Sequence, residues 1–598
     1  FQISSHVRKL QEHHDALAPL YALKRKFIQK KAISGVTKEQ ATAINGRSVA
    51  AELEALFNEP LTEASFVEHV SRWLETESEH PTQLQTAARY AAWAALSPAG
   101  IEKHHHGVLF RVPHKLEMTQ LIPVEAVKAG EVAAVALPER AWRLREGFKL
   151  TDPGMDLAGA LDQAHYCIKC HNQGKDSCST GLKEKDGTFK ASAFGVALAG
   201  CPLEEKISEM NLVKQNGNPI GALAIVVIDN PMAAATGHRI CNDCMKSCIF
   251  QKQDPVDIPQ VETRTLKDVL ELPWGFEIYS LLTRWNPLNF ARPIPRPHSG
   301  YKVLVVGLGP SGFTLAHHMM NAGHVVAGVD GLKIEPLDEA VSGVTPLGER
   351  VPFRPVHDVN ELYESLDDRV MAGFGGVAEY GITVRWNKNF LKIIRLLLER
   401  REEFRMFGGV RFGGTLTIDS AFELGFDHVA LCAGAGRPTV IPMKNGLARG
   451  VRQASDFLMA LQLTGAARTN SVANLQLRMP IVVIGGGLTA IDTATESMAY
   501  YVVQVEKFLE RYETLSAEKS EREIRASWNA EEAETADEFI AHARAIRTER
   551  NAAARQGRDP KLVALLNTWG GVTIAYRRRL IDAPSYTLNH EEVAKALE

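Results

Sequence analysis

A chain of 598 residues is longer than one hydrophobic core organises, so about three or four domains are expected. Hydrophobic residues make up 45% and charged residues 23%, a composition that excludes a disordered chain. A net charge of −3 gives no global reason to expect nucleic acid or an anionic membrane as a partner.

Residues 1–155 are rich in Ala, Leu, Glu, Lys and Arg, and segments such as SVAAELEALF and TQLQTAARYAAWAAL place apolar residues three and four apart. That spacing predicts a helical N-terminal region. The visible start, FQISSHVRKLQEHHDAL, lacks a basic stretch followed by an apolar one, so no secretory signal is read there and a cytoplasmic location is expected. His104–His106 follow SPAG and are expected on a surface loop.

Residues 156–298 hold seven of the eight cysteines, and only Cys432 lies outside. Clustered thiols in a long chain point to a metal site more readily than to a disulfide scaffold. The apolar run Ile220–Ile228 falls well short of the roughly 20 residues that span a bilayer, and is expected to be a buried strand or a core helix. No membrane span is expected. The stretch WNPLNFARPIPRPHSG can continue neither a helix nor a central strand, and marks a linker.

From Tyr301 the pattern changes to strand, glycine turn and helix. KVLVV is an apolar strand of the kind a buried parallel sheet requires. The turn after it carries Gly307, Gly309, Ser311 and Gly312, with the glycines in G-x-G-x-x-G spacing. The first permits a tight turn, the second lets a pyrophosphate approach the backbone, and the third lets helix and strand pack closely. A second strand, HVVAGV, ends at Asp330, 18 residues after Gly312, where an acid can bind a ribose. The motif alone does not separate FAD from NAD.

A second turn follows PIVVI, with Gly485, Gly487 and Ala490 in G-x-G-x-x-A spacing. Residues 503–568 then break the rhythm, and their charge suggests a solvated helical hairpin inserted into this second α/β unit. The next strand, GVTIAY, leads to Arg577 and Arg578 instead of an acid. Guanidinium groups match phosphate oxygens, so a 2′-phosphate, and with it NADP(H) over NAD(H), is the natural partner. The alternative is a solvated basic face. Two dinucleotide turns point to FAD in the first and a nicotinamide cofactor in the second.

The cysteine spacing is Cys167-x2-Cys170-x7-Cys178, then Cys201-Pro202, then Cys241-x2-Cys244-x3-Cys248. Cys167, Cys170 and His171 spell the c-type haem pattern, which would leave five clustered cysteines without a role. Zinc could use two C-x2-C pairs, leaving three thiols unused. Iron–sulfur clusters use thiolates at short spacings and supply the one-electron carriers that a flavin enzyme needs. Seven cysteines are one short of two [4Fe–4S] clusters.

Together these motifs resemble the small, electron-supplying subunit of bacterial glutamate synthase, with relatives in dihydropyrimidine dehydrogenase and bifurcating ferredoxin:NADP oxidoreductase. The resemblance rests on the cysteine groups with Cys201-Pro202, DNPMAAATGHRICNDCMKSC and DPVDIPQVE, and on the first glycine turn. It continues through GGVAEYGITVRWNKNFL, FDHVALCAGAGRP, GGGLTAID and AYRRRLIDAPSYTLNHEEVAKAL.

The resemblance implies a ligand set of Cys167, Cys170, Cys178 and Cys248 for one cluster. Cys201, Cys241 and Cys244 would share the other with Glu262. It also places Gly434 in a flavin-contacting turn, with Cys432 beside it as a packing thiol. The chain departs from the family at Thr383 in Tyr380-Gly381-Ile382-Thr383, in an extra stretch after Asp330, in residues 1–155 and in residues 503–568.

The expected fold class is α/β: a helical N-terminal region (1–155), an α-helical double [4Fe–4S] domain (156–298), and two Rossmann-like dinucleotide-binding domains. The latter are an FAD domain (299–478) and an NAD(P) domain (479–598) that the resemblance continues past Glu598. The expected function is hydride transfer from NADPH to FAD and one-electron transfer through two clusters to a partner domain or subunit, in a multi-subunit or homo-oligomeric assembly. No side chain is needed as a nucleophile. A docking subunit of a redox complex and a flavin disulfide reductase are the alternatives.

Overall fold

The computed structural model describes all residues except 1, 130, 143, 144, 146, 151, 370, 371, 382–385, 436 and 437, and the backbone alone of 2, 129, 140 and 588. The chain divides into two compact units. One comprises Phe1–Glu117, Gly154–Ala233 and Cys241–Thr283, and the other Met118–Pro153, Ala234–Ile240 and Arg284–Glu598. These units do not follow the sequence segments. The N-terminal helices share a unit with the cysteine region, while Met118–Pro153 joins the nucleotide-type region.

The first unit contains helices Gln2–Leu23, Gly46–Phe57, Glu63–Glu75 and Pro81–Leu96, of which the second and third start where a side chain satisfies a free N–H group. The Asn45 side chain accepts from Ser48 N, and Thr62 forms a capping box with Ser65. Val49, Leu53 and Phe57 lie on one face and pack with Phe66, Val70 and Tyr90. His104, expected on the surface, turns inward onto Phe110 with its Nε2 2.9 Å from the Tyr90 hydroxyl, whereas His105 and His106 are exposed. The Lys24 ammonium donates to Asp162 at 2.6 Å in a buried pair, tying the N-terminal helices to helix Leu157–Tyr166. Removing one partner of such a pair leaves an uncompensated charge and costs about 3–5 kcal/mol.

The apolar run Ile220–Ile228 is part of helix Pro219–Asp229. Pro219 at its first position and Asn218, which accepts from Gly221 N, start the helix and decide against a strand.

The second unit holds a parallel sheet in the order β5-β4-β3-β6, where β3 is Lys302–Val306, β4 Val325–Val329, β5 Phe404–Phe407 and β6 His428–Leu431. Helix Pro310–Asn321 connects β3 to β4. Leu304, Val306, Ala327 and Val329 fill the interior of the sheet with Leu416 and Ala421. An antiparallel hairpin, β1 (Glu125–Ala129) and β2 (Val132–Ala136), occupies a segment expected to be helical.

The second glycine turn departs from expectation in two respects. Among the described residues its sheet has only two parallel strands, β7 (Ile481–Ile484) and β8 (Val572–Ala575), and not a full doubly wound sheet. The inserted region does not begin at 503, because one helix runs unbroken from Leu488 to Glu518. That helix packs on helix Ala530–Gln556 through a core of Tyr501, Val505, Leu509, Phe539, Ile540 and Ile546. The hairpin therefore has an interior of its own and is not merely solvated. Among the described residues no helix is long and apolar enough to cross a membrane.

Candidate functional site

At the first glycine turn each glycine meets a different surrounding. Gly307 has φ +96, and a Cβ there would lie 2.4 Å from the Cys432 carbonyl oxygen. At Gly312 a Cβ would lie 1.8 Å from the Gly307 carbonyl oxygen, so only glycine lets the helix pack this close to β3. Gly309 differs: the nearest atom to its would-be Cβ is Gly376 Cα at 3.6 Å. A Cβ at Gly309 would make only ordinary contact with Gly375 and Gly376, so packing within the protein does not by itself demand glycine there.

Helix Pro310–Asn321 begins at Gly309 without a side-chain cap, and Ser311 is exposed on its first turn. Uncapped N–H groups at a helix N-terminus form an anion site. Asp330 accepts from Leu308 N through Oδ2 and from Leu332 N through Oδ1, both at 3.0 Å. The acid expected at the ribose therefore also fastens the glycine turn. Gly434 has φ +69, is exposed, and lies just beyond β6, which pairs with β3 in parallel. Both turns thus sit at the carboxyl ends of neighbouring strands, where open α/β sheets bind their ligands.

A further element is Gly373–Gly376. Gly375 N donates to Leu308 O at 3.1 Å, and a Cβ on Gly376 would lie 3.0 Å from Gly309 Cα. Gly375 has φ +108 and Gly376 φ +54, conformations that L side chains rarely adopt. In the sequence only Gly375 and Gly376 fall in the motif GGVAEYGITVRWNKNFL, and the string GFGG is the available signal for the whole element. Of the departing motif downstream, Ile382 and Thr383 lie outside the described residues.

At the second turn, a Cβ on Gly487 would meet nothing within 4 Å, while Ala490 is buried against Val483 and Ala494. Helix Leu488–Glu518 begins at Gly487, again without a side-chain cap. Ser585 donates through its hydroxyl to Gly486 O at 2.8 Å. A cavity of about 1440 Å³ runs from Gly485–Gly487 past Ile574 and Met498 to Arg578 and Arg579. Arg577 and Arg578 are exposed, whereas Arg579 is held by Asp582 at 3.0 Å.

In the first unit, Cys167, Cys178, Cys244 and Cys248 share one buried core, with Cys201 packed against it. Their electrostatic surroundings fall into two groups. Burial raises the Cys170 thiol above its ordinary range, with Cys167 and Cys248 adding to the shift. Cys178 is raised by burial, then by Asp176, Cys248 and Cys167, and Cys248 by burial and Cys167.

On the other side, burial and the charges of Glu205 and Glu262 push Cys201 up to about 11. Cys244 is raised by burial, then by Glu205, Glu262, Cys241 and Cys201. Cys241 is exposed as a residue, yet desolvation of its thiol raises it, with Asp243 and Glu262 adding to the shift. Glu262 is buried and its Oε1 accepts from Asn230 at 3.0 Å. Cys201 N donates to Cys178 O at 2.8 Å, which joins the two groups through the backbone. Among the described residues no three or more His, Cys, Asp or Glu side chains converge closely enough to hold a single metal ion. Cys432 stands apart, half-buried after β6.

A parallel sheet with a glycine turn at its carboxyl edge, and a second such turn in the same unit, form the Rossmann-like arrangement that binds dinucleotides in other proteins. Residues 301–535 match the family described as pyridine nucleotide-disulphide oxidoreductase. The chain is 48% identical over 366 residues to an uncharacterized protein of Rickettsia prowazekii, covering 61% of this chain and 48% of the relative. It is 26% identical over 324 residues to the glutamate synthase [NADPH] small chain of Bacillus subtilis, covering 52% of each. The match to the small chain of Mycobacterium tuberculosis is 26% over 306 residues, covering 49% of this chain and 50% of the relative. The chain thus spans about half the length of these relatives. Over about half of its length the chain is thus similar to glutamate synthase small chains, and residues 301–535 are similar to the pyridine nucleotide-disulphide oxidoreductase family.

Proposed function

We propose that the chain oxidises NADPH, with FAD at the first glycine turn and the nicotinamide cofactor at the second, and passes electrons through two iron–sulfur clusters to a partner subunit or domain. The observation that carries this reading is the pairing of two glycine turns with seven clustered cysteines in one chain. Bound FAD would accept a hydride and release its electrons singly, and the clusters would carry them.

The residues fit these groups. In this reading the uncapped helix starts at Gly309 and Gly487 would offer free N–H groups and positive dipole ends to the pyrophosphates. Arg578 on the cavity wall favours a 2′-phosphate, and the two small chains above are named for NADPH. Cys167, Cys170, Cys178 and Cys248 would hold one cluster. Cys201, Cys241 and Cys244 would hold the other with Glu262, which Asn230 orients. A single zinc needs its donors within about 2.3 Å of one point. A cluster interposes iron and sulfide between its thiolates, so its ligands stand further apart.

The test is an absorption spectrum with flavin, iron and acid-labile sulfide analysis, before and after anaerobic addition of NADPH. The expected result is a flavin spectrum on a broad cluster absorption that bleaches with NADPH. A sharp Soret band, or a purified protein that takes up neither flavin nor iron, would overturn the reading.

A further inference from the structure

The second unit buries a group of charges that neither glycine turn uses directly. Lys388, 6% exposed, donates through Nζ to Ala378 O at 2.8 Å and also to Gly381 O. These carbonyls belong to the turn Val377–Gly381, which directly follows the glycine pair Gly375–Gly376 that abuts Gly309. On the other side stands helix Leu488–Glu518, which starts at the second glycine turn. A Cβ on Gly381 would lie 3.5 Å from Asp492 Oδ2, and Asp492 and Glu496 both act electrostatically on Lys388.

Two buried ion pairs flank the lysine: Arg369 to Glu379 at 2.8 Å and Arg145 to Glu496 at 3.0 Å. Among the described residues, Glu379 Oε2 and Glu496 Oε2 are buried without a hydrogen-bond partner. A cavity of about 20 Å³, room for one water, is lined by Lys388, Arg369, Glu496, Asp367 and Arg468.

An enclosed ammonium is costly to retain, and an unbranched apolar chain of similar length would fill the same space. What an apolar chain cannot do is hold two carbonyls of one turn while facing the carboxylates of the helix that carries the other turn. We propose that Lys388 is a positioning residue for hydride transfer: it clamps the Val377–Gly381 turn against the helix that starts at Gly487, and so sets the spacing between the two dinucleotide sites. The inference rests on the flavin and nicotinamide reading given above.

The clamp depends on the proton. Burial pulls Lys388 down to about 8, with Arg369 adding and Glu379, Asp492 and Glu496 opposing. Below that value it is a cation with three donors, and above it a neutral amine with two. The neutral amine can still donate to both carbonyls but no longer attracts Asp492 and Glu496, so the positioning effect is full below about pH 8 and weakens above it.

The experiment uses the full chain loaded with FAD, mixed anaerobically with NADPH at roughly pH 7 and pH 9, with flavin bleaching as the rate and the FAD dissociation constant measured in parallel on apoprotein. In the wild type the bleaching rate falls by about tenfold between the two pH values. Lys388→Met lowers the rate at roughly pH 7 by about tenfold or more, weakens FAD severalfold and flattens the pH profile. Lys388→Arg keeps its charge across this range, retains most of the rate and loses the fall. A flat wild-type profile overturns the inference, even where Lys388→Met does not fold. Unchanged rate and FAD affinity in a folded Lys388→Met protein also overturn it. Wild-type protein that binds no FAD at all would remove the flavin reading itself and the inference with it, an outcome visible in the apoprotein titration alone.

Discussion

Gly312 lies so close to Gly307 that a methyl group on it would fall 1.8 Å from the Gly307 carbonyl oxygen, whereas one on Gly309 would meet nothing nearer than 3.6 Å. The two positions should therefore fail differently. Gly312→Ala forces the helix off the sheet, lowers stability by about 1–3 kcal/mol and abolishes FAD binding. Gly309→Ala leaves the melting temperature of the apoprotein nearly unchanged but weakens FAD at least about tenfold, because the methyl group occupies the space the pyrophosphate needs. Thermal melts with FAD titrations separate the two, and undiminished FAD affinity in Gly309→Ala would contradict the assignment.

Asp330 holds two backbone N–H groups of the turn. Asp330→Ala should destabilise the apoprotein by about 2–4 kcal/mol, since hydrogen bonds to a charged group contribute about 1.5–3 kcal/mol each and are partly replaced by water. Urea unfolding without flavin measures this. An unchanged midpoint would mean that the carboxylate serves the ligand alone.

The two thiol groups should lose metal separately. Cys178→Ser and Cys244→Ser are each expected to retain about half of the wild-type iron and sulfide, and each to remove a different electron-paramagnetic-resonance signal after reduction. Loss of all iron from either variant would argue for one shared centre.

His104 gives the first unit a pH dependence of defined sign. Burial, with Lys103 adding, lowers it from 6.5 to about 4. Between those values the unfolded chain binds the proton and the folded chain does not, so stability falls as pH drops from about 6.5 to about 4. The loss is on the order of 2 kcal/mol after allowance for partial exposure. Urea midpoints measured across this range by tryptophan fluorescence should show the slope, and His104→Gln should reduce it.

How much of this was legible in the sequence depends on how local each cause is. Gly307, Gly309 and Gly312 announce their turn because each answers a constraint within a few residues. Helix Pro219–Asp229 could not be told from a strand by its apolar run, and its cap at Asn218 decides it. The hairpin Glu125–Ala136 stayed hidden in an Ala-rich stretch whose composition favours helix. The spacing of the cysteines left haem, zinc and iron–sulfur open, and the division into two groups came from the family resemblance alone. Lys388 gave no signal, because its role arises from Ala378, Gly381, Asp492 and Glu496, which only the tertiary fold assembles.

Tyr586 gives the chain's connectivity a consequence in time. Its hydroxyl accepts from Leu121 N at 2.9 Å, a residue 465 positions earlier, and donates to Met118 O at 3.1 Å. At about 5–20 residues per second, a growing chain exposes the Met118 segment roughly half a minute or more before Tyr586 emerges from the ribosome. The Met118–Leu121 segment spends that interval without its hydroxyl partner, next to a hairpin, Glu125–Ala136, whose Val127, Val132 and Val135 are exposed even in the finished fold. A nascent chain stalled before Tyr586 should accordingly be cut by protease within residues 118–153 and be protected there once synthesis is complete.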